Sequence, residues 1–575
     1  MALAGALTMS SCANDFLSQE NSHQLNQETF FDSDEALSAA TAPLYSYVWY
    51  NFNDKFYYGM GDGRANNITA QYSDYIYPYT NFTETSLSSG LSDAWSSFYS
   101  VVAQSNNTIN NIDNYSAATV STDAKNHAKA EARFMRGLAY WYIGSLWNCG
   151  IIYTNTDDLV NNYVVKAQPV CDVMEFAIRD MEYAAMYLPA TQTDKGRVTK
   201  YAAYAMLSRF YLSMAGLTTS GAYDGTNVAT NMNRGTRNEY YLNLAKKAAK
   251  TVIESNAYSL VADYGDLFAP DLSKFNNNSE SIFQLQFMTG TNVGGAGQSM
   301  TRFLGWSAMV SDTNAWGGAT YCSYDLWEEF KEYEDKTLGA TVDDAVRRHN
   351  CVASYGETYP ELGDYTYGVT ESAGNQGANV KKYVVGIKKV NGFSEVNNSG
   401  VNTYMMRLAE VYLNYAEAVM GNNGSISANG STEEQQAVSL INDLRTRAKV
   451  AKKSTLAYED LRHEFRCELA FEGLYWYYLV RRAYYQQQEV LNYVNNQNRN
   501  ASYYEASTHS YKLSDSYVAP GSGVDIADES NLKLPMADVD QTKNPNLKTD
   551  ASGNISTEPY VFGEREVTPA DLGLN

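Results

Sequence analysis

Residues 407–418 read RLAEVYLNYAEA. Around them Met405, Leu408, Ala409, Tyr412, Tyr415, Ala416 and Val419 recur at three- and four-residue intervals, which puts them on one face of a helix. Arg407, Glu410 and Glu417 are set beside that face. Long charged side chains next to a core need partners, so the stretch predicts a helix tied to its neighbours by ion pairs. Working outward, Ala437, Leu440, Ile441, Leu444 and Ala448 form a second apolar face, and Phe465, Leu469, Trp476 and Leu479 mark a third. Their charges, Arg445, Arg447, Glu468, Glu472 and Arg481, are read the same way. The alternative is a paired-carboxylate site of the glycosidase kind.

The same periodicity appears far upstream. Val170, Val173, Met174, Ala177, Met181, Ala184 and Leu188 share a face, and Pro189 stops it. Ala203, Met206, Leu207, Phe210 and Met214 form the next, closed by Gly216. Leu242, Ala245, Ala249, Val252 and Ile253 form another. Amphipathic helices joined by short turns, repeated, predict an all-α superhelix of tetratricopeptide-like pairs, although no strict sequence repeat is visible. The expected scaffold is about 36–260 and 403–482, packed together as one body. Between them, about 261–402 is a loop-rich insertion with Gly, Asn, Ser and Tyr and short apolar runs, and 281–287 alternates like a strand. About 483–575 is a polar C-terminal segment.

The chain has 575 residues, with 43 Lys and Arg against 65 Asp and Glu, a net charge of −22. That balance argues against nucleic acid and against electrostatic docking to anionic lipid. The 48 tyrosines bring the aromatic share to 13%, which excludes disorder. Six cysteines include no C-x-x-C pair, and five scattered histidines include no H-E-x-x-H. No metal or cofactor is therefore expected, and the cysteines beyond Cys12 are read as buried small hydrophobes. The Gly-rich run 289–298 lacks phosphate-loop spacing, and no G-x-S-x-G is present. The chain is expected not to be an enzyme.

At the N-terminus MALAGALTM is followed by Ser10, Ser11 and Cys12. An apolar run ending in small residues and a cysteine reads as a lipoprotein signal over 1–12, with Cys12 acylated. The absence of a preceding Lys or Arg departs from that pattern, as does Met9. An ordinary signal peptide is the alternative.

Several blocks, in order, resemble the SusD/RagB family of Bacteroidetes outer-membrane lipoproteins. They are Cys12 with Asp15-Phe16-Leu17, AWSSFYSVVAQSNNTINNI (94–112), AEARFMRGLAYWYIGSLW (130–147), LPATQTDKGRVTKYAAYAMLSRFYL (188–212), RLAEVYLNYAEA, INDLRTRA (441–448), ELAFEGLYWYYLVR (468–481) and LPMADVDQTKNPNL (534–547). Phe465, Tyr475 and Tyr478 depart from the family's usual Arg, Arg and Asp, which bears on local salt bridges. The resemblance implies a single SusD-like body over 13–575. It also implies an oligosaccharide- or polysaccharide-binding lipoprotein on the extracellular face of the outer membrane, serving a SusC-like TonB-dependent transporter. A scaffold of the same architecture that binds peptide or another nutrient is the alternative.

Two irregular stretches combine aromatic rings with polar side chains. One is GMGDGRANN (59–67) with Tyr72, Tyr75, Tyr77 and Tyr79, and the other is FLGWSAMVSDTNAWGGATYCSYDLW (303–327). Sugar rings offer apolar C–H faces to aromatic rings and hydroxyls to polar groups. Trp316, Trp306, Tyr321, Tyr72, Tyr75 and Tyr77 are therefore the candidate stacking residues, and Asp62, Arg64 and Asn66 the candidate polar contacts. Trp95, Trp141, Trp147 and Trp476 lie on helical periods and are read as core.

Overall fold

The structure is a computed structural model. It describes residues 30–70, 73–160, 162–289, 297–305, 309, 320–331, 334–335, 340–341, 344–368, 377–386, 399–505, 507–513 and 528–575. The helices used below are α1 (Asp34–Thr41), α2 (Leu91–Tyr115), α3 (Thr122–Trp147), α4 (Val170–Tyr187), α5 (Lys200–Leu217), α6 (Glu239–Ser255), α7 (Tyr324–Lys331), α8 (Ala345–Cys351), α9 (Leu408–Met420), α10 (Thr432–Arg447), α11 (Tyr458–Glu468) and α12 (Tyr475–Asn496). The strands are β1 (Ile68–Ala70), β2 (Ser281–Leu285), β3 (Thr320–Cys322), β4 (Val352–Ala353), β5 (Asn379–Val380), β6 (Thr403–Arg407), β7 (Ser502–Glu505) and β8 (Ser510–Leu513).

The fold is all-α, with short strands only. Each long helix packs on the next: α2 on α3, α3 on α4, α4 on α5 and α5 on α6. The stack then crosses the insertion, because α6 packs on α9, α9 on α10, and α12 on α5. Side-chain caps fix where helices begin. Ser121, Thr199 and Ser431 accept the N–H groups of Ala124, Ala202 and Glu434, satisfying amides that have no partner within the helix. Core side chains from Leu44 to Leu574 form one continuous apolar cluster. Trp95, Trp141, Trp147 and Trp476 are all buried in it. The five cysteines beyond Cys12 are free and buried. Cys12 itself lies outside the described residues.

The charges of the helical faces are ion pairs between helices. Arg209 of α5 grips Glu410 of α9 from Nε (2.7 Å) and Nη2 (2.6 Å). Glu417 receives Arg237 at 2.8 Å and Arg481 of α12 at 2.5 Å. Arg407 sits among three buried carboxylates, at 2.7 Å from Glu280, 2.7 Å from Glu468 and 2.8 Å from Glu472. Arg447 adds contacts to Glu280 and Glu468, and Arg445 pairs with Glu464. Burial pushes the Glu468 carboxyl up, but Arg447, Arg407 and Arg347 outweigh it and hold it at about 2. These carboxylates are spent on structure.

Two helical readings are corrected. Residues 403–407, Met405 included, form a strand, β6, paired antiparallel with β2, and the helix starts at Leu408. The run TYMMR is buried on both faces, so its apolar spacing is that of a covered strand and carries no helical period. The face marked by Phe465 and Trp476 belongs to two helices, α11 and α12, broken where Phe471 and Gly473 take left-handed backbone (φ 62° and 67°). A Cβ on Gly473 would lie 2.7 Å from the Tyr57 carbonyl oxygen, and one on Gly61 would overlap the Gly473 backbone. The chain thus crosses itself with two glycines in contact. The three departures from the family pattern stack on one another instead of pairing charges. Phe465 lies on Tyr478 (4.4 Å, 26°), Tyr478 is parallel to Tyr475 (6.0 Å, 11°), and the Arg481 guanidinium lies 5.0 Å from the Tyr478 ring.

The C-terminal segment is a strap over the first helices. Arg565 binds Glu175 and Glu182 of α4, Arg133 of α3 binds Glu566, and the Tyr204 hydroxyl donates to the Leu572 carbonyl.

Candidate functional site

The stretch 52–63 winds in wide, π-type turns, Phe52–Phe56 and Gly59–Gly63. It then turns at Asn66, whose φ is 62°, and enters β1. This path carries Asp62, Arg64 and Asn66 inward. Asp62 accepts the N–H groups of Phe471 (3.1 Å) and Gly473 (2.6 Å) and the Asn67 amide (2.8 Å). Burial pushes its carboxyl up to about 6, against the pull of those donors and of Lys382. The Arg64 guanidinium is held between the rings of Phe82 (4.8 Å) and Trp476 (4.7 Å) and donates to Glu84 and the Asn531 carbonyl. The Asn66 amide donates to the Asn498 carbonyl at 3.0 Å. All three have no exposed surface. Their expected role as ligand contacts is corrected: they tie the α11–α12 turn, Asn498 and Asn531 to the scaffold.

Tyr321 is corrected too. It lies in β3, the second strand of a four-stranded sheet ordered β1–β3–β5–β4, opposite Thr69 and Asn379. Its ring covers Gly377, and 5% of the residue is exposed, which leaves no face for a sugar.

The sheet nevertheless joins the two aromatic-rich stretches. β1 and β3 pair antiparallel, with Ile68 opposite Cys322 and Ala70 opposite Thr320. The chain therefore leaves β1 and enters β3 at the same corner. Tyr75 and Tyr77 follow β1 and are half-buried, with the Tyr75 ring 6.0 Å from Phe56 and 5.2 Å from the Lys55 ammonium. Phe303, half-buried, lies 6.4 Å from Tyr58. Tyr72, Trp306 and Trp316 lie outside the described residues.

A second aromatic group borders the other end of the sheet. Tyr355, just after β4, stacks on Tyr504 of the β7–β8 hairpin at 4.0 Å and 13°, and both are half-buried. An open cleft of about 480 Å³ lies nearby, lined by Asp263, Arg348, His349, Asn350, Glu357 and Lys449 among others. Sequence reasoning missed this pair because the rings are far apart along the chain. Four strands at ~4.8 Å spacing put the two aromatic groups roughly 15 Å apart. Such a surface offers apolar ring faces and flanking polar groups. Among the described residues no helix is long and apolar enough to cross a membrane.

Residues 279–550 match the SusD family, and residues 15–212 match a family described as starch-binding and associating with the outer membrane. A SusD-like protein of Bacteroides ovatus is 33% identical over 586 aligned residues, covering 97% of each chain. The chain belongs to the SusD family. The starch-binding protein SusD of Bacteroides thetaiotaomicron is 25% identical to this SusD-family chain over 387 residues, 61% of this chain and 64% of that one. A crystal structure solved with xylogluco-oligosaccharide shares the family fold, with a TM-score of 0.76 and 33% identity over 92% of this chain and all of the other.

Proposed function

We propose that this chain captures neutral oligosaccharide on loop aromatics at the edges of the four-stranded sheet and delivers it to a SusC-like TonB-dependent transporter. The observation that supports the reading is the β1–β3 pairing, in which Ile68–Ala70 of the 60–80 stretch lies against Thr320–Cys322 of the 300–325 stretch. The relatives add support, since one is named for starch binding and one structure was solved with a xyloglucan fragment. Binding without hydrolysis fits the helix-face carboxylates, which are held in ion pairs.

A shallow site on solvated loops returns only the surplus over ordering costs, so dissociation constants of roughly micromolar to millimolar are expected. Stacking on rings makes binding nearly independent of salt. Titration of a panel of neutral glycans by calorimetry tests the reading. Trp316→Ala should weaken binding at least ~10-fold, about 1.4 kcal/mol, with thermal unfolding unchanged. Early unfolding with intact binding would make Trp316 structural, and no change in either would place the site elsewhere. New reducing ends during incubation would make the protein a glycosidase.

We also propose that Cys12 is the acylated residue that anchors the chain to the extracellular face of the outer membrane, with the apolar run and Ser10-Ser11 as the support. Cys12→Ala should move the protein from the membrane fraction to the soluble one. Wild-type protein found wholly soluble in the periplasm would refute the anchor.

A further inference from the structure

Away from the sheet, three different metal-binding donors converge in the interior. Asp344, His463 and Cys467 are all buried, and each offers a ligand atom within 4.8 Å of the other two. The stretch 463–467 reads HEFRC. Its first and last residues are four apart on α11, which puts both side chains on one face, a single turn apart. Asp344 caps the start of α8 and reaches the same point.

The spacing suits a small tetrahedral ion. His463 Nε2 lies 3.8 Å from Cys467 Sγ. A zinc ion bonded at ~2.3 Å to sulfur and ~2.0 Å to nitrogen sets those two atoms about 3.5 Å apart, so a few tenths of an ångström of closure suffices. The outer partners are also in place. His463 Nδ1 is 2.7 Å from Glu329 Oε1, the carboxylate–imidazole arrangement that turns the unprotonated Nε2 toward a metal. Asp344 Oδ2 accepts Arg347 Nε at 2.6 Å, while Oδ1 accepts a long 3.4 Å bond from the Arg347 amide. The cations around the site are themselves paired: Arg347 with Asp344, Glu464 and Glu468, and Arg466 with Asp325 and Glu329.

We propose that Asp344, His463 and Cys467 form a structural site for a divalent transition metal, zinc by the softness of its donors, with water as the fourth ligand. Binding is an exchange without redox change. The Cys467 thiol gives up its proton, the thiolate sulfur bonds the metal, and neutral His463 and ionised Asp344 complete the set. The ion staples α8, in the insertion, to α11, in the scaffold.

Cobalt(II) is the probe. The full chain is produced in medium with Co2+ in place of Zn2+, and its absorption and metal content are measured after gel filtration. One retained Co2+ per chain is expected, with the thiolate-to-cobalt charge-transfer band and the intense visible bands of a tetrahedral site. Cys467→Ser should lose the charge-transfer band, and Cys171→Ser, on α4, should keep it. Asp344→Asn, which keeps the thiolate, should keep that band and shift the visible ones. No metal retained by the wild-type chain, retained metal without the charge-transfer band, or a band that survives in Cys467→Ser would each overturn the site.

Discussion

Arg407→Ala should lower unfolding stability by about 3–5 kcal/mol, the cost of leaving buried charge without its partner. The substitution leaves Glu280, Glu468 and Glu472 facing one another with one fewer cation among them. Arg447 still reaches Glu280 and Glu468, and Lys382 still reaches Glu472 at 2.8 Å, which keeps the loss from being larger. Arg407 also donates to the Glu468 carbonyl at 2.6 Å, so a buried backbone oxygen loses a bond. Guanidinium unfolding curves of the two proteins give the difference directly. Adding Glu472→Gln to the Arg407→Ala chain removes one stranded charge and should recover part of the loss, because contacting residues do not act additively. A cost below ~1 kcal/mol would mean that water or a shifted side chain replaces the guanidinium.

Asp62→Ala is expected to cost about 2–5 kcal/mol, since each buried donor left without an acceptor costs roughly 1–3 kcal/mol. The Phe471 and Gly473 amides both point at this carboxylate from the turn between α11 and α12. That turn is already held in left-handed backbone and pressed against Gly61, which restricts its movement toward a new acceptor. Thermal unfolding should therefore shift down markedly, while glycan affinity measured below the transition should not change. The reverse result, an intact melting midpoint with lost affinity, would return Asp62 to the ligand site.

Asp62 also shows where sequence reading fails. Helices such as α4 and α10 are legible because their apolar positions repeat locally. The ion pairs of α9 are legible because a charged residue beside a core face must meet its opposite. In GMGDGRANN the glycines and polar residues carry the signature of an exposed binding loop. Their partners, Phe471, Gly473, Asn498 and Asn531, lie some four hundred residues away, and no local pattern announces them. The same reason hid β6, whose helical-looking spacing is overridden by pairing with β2, and the Tyr355–Tyr504 stack. Conversely, the meeting of the two aromatic stretches depends on the β1–β3 register, which only the folded chain reveals.

The C-terminal strap sets an order of events during synthesis. Glu182 and Tyr204 belong to helices made well before their partners Arg565 and Leu572, which follow more than 360 residues later. Until those residues emerge, α4 lacks the Arg565 guanidinium, although Arg179 of the same helix already holds Glu175. Contacts that span more than 360 residues close slowly, because the loop entropy is met before the contact returns anything. The contacts of α4 with this strap are thus completed late, and a nascent chain stopped before Arg565 would leave Glu175 with Arg179 of its own helix and Glu182 with the Tyr211 hydroxyl.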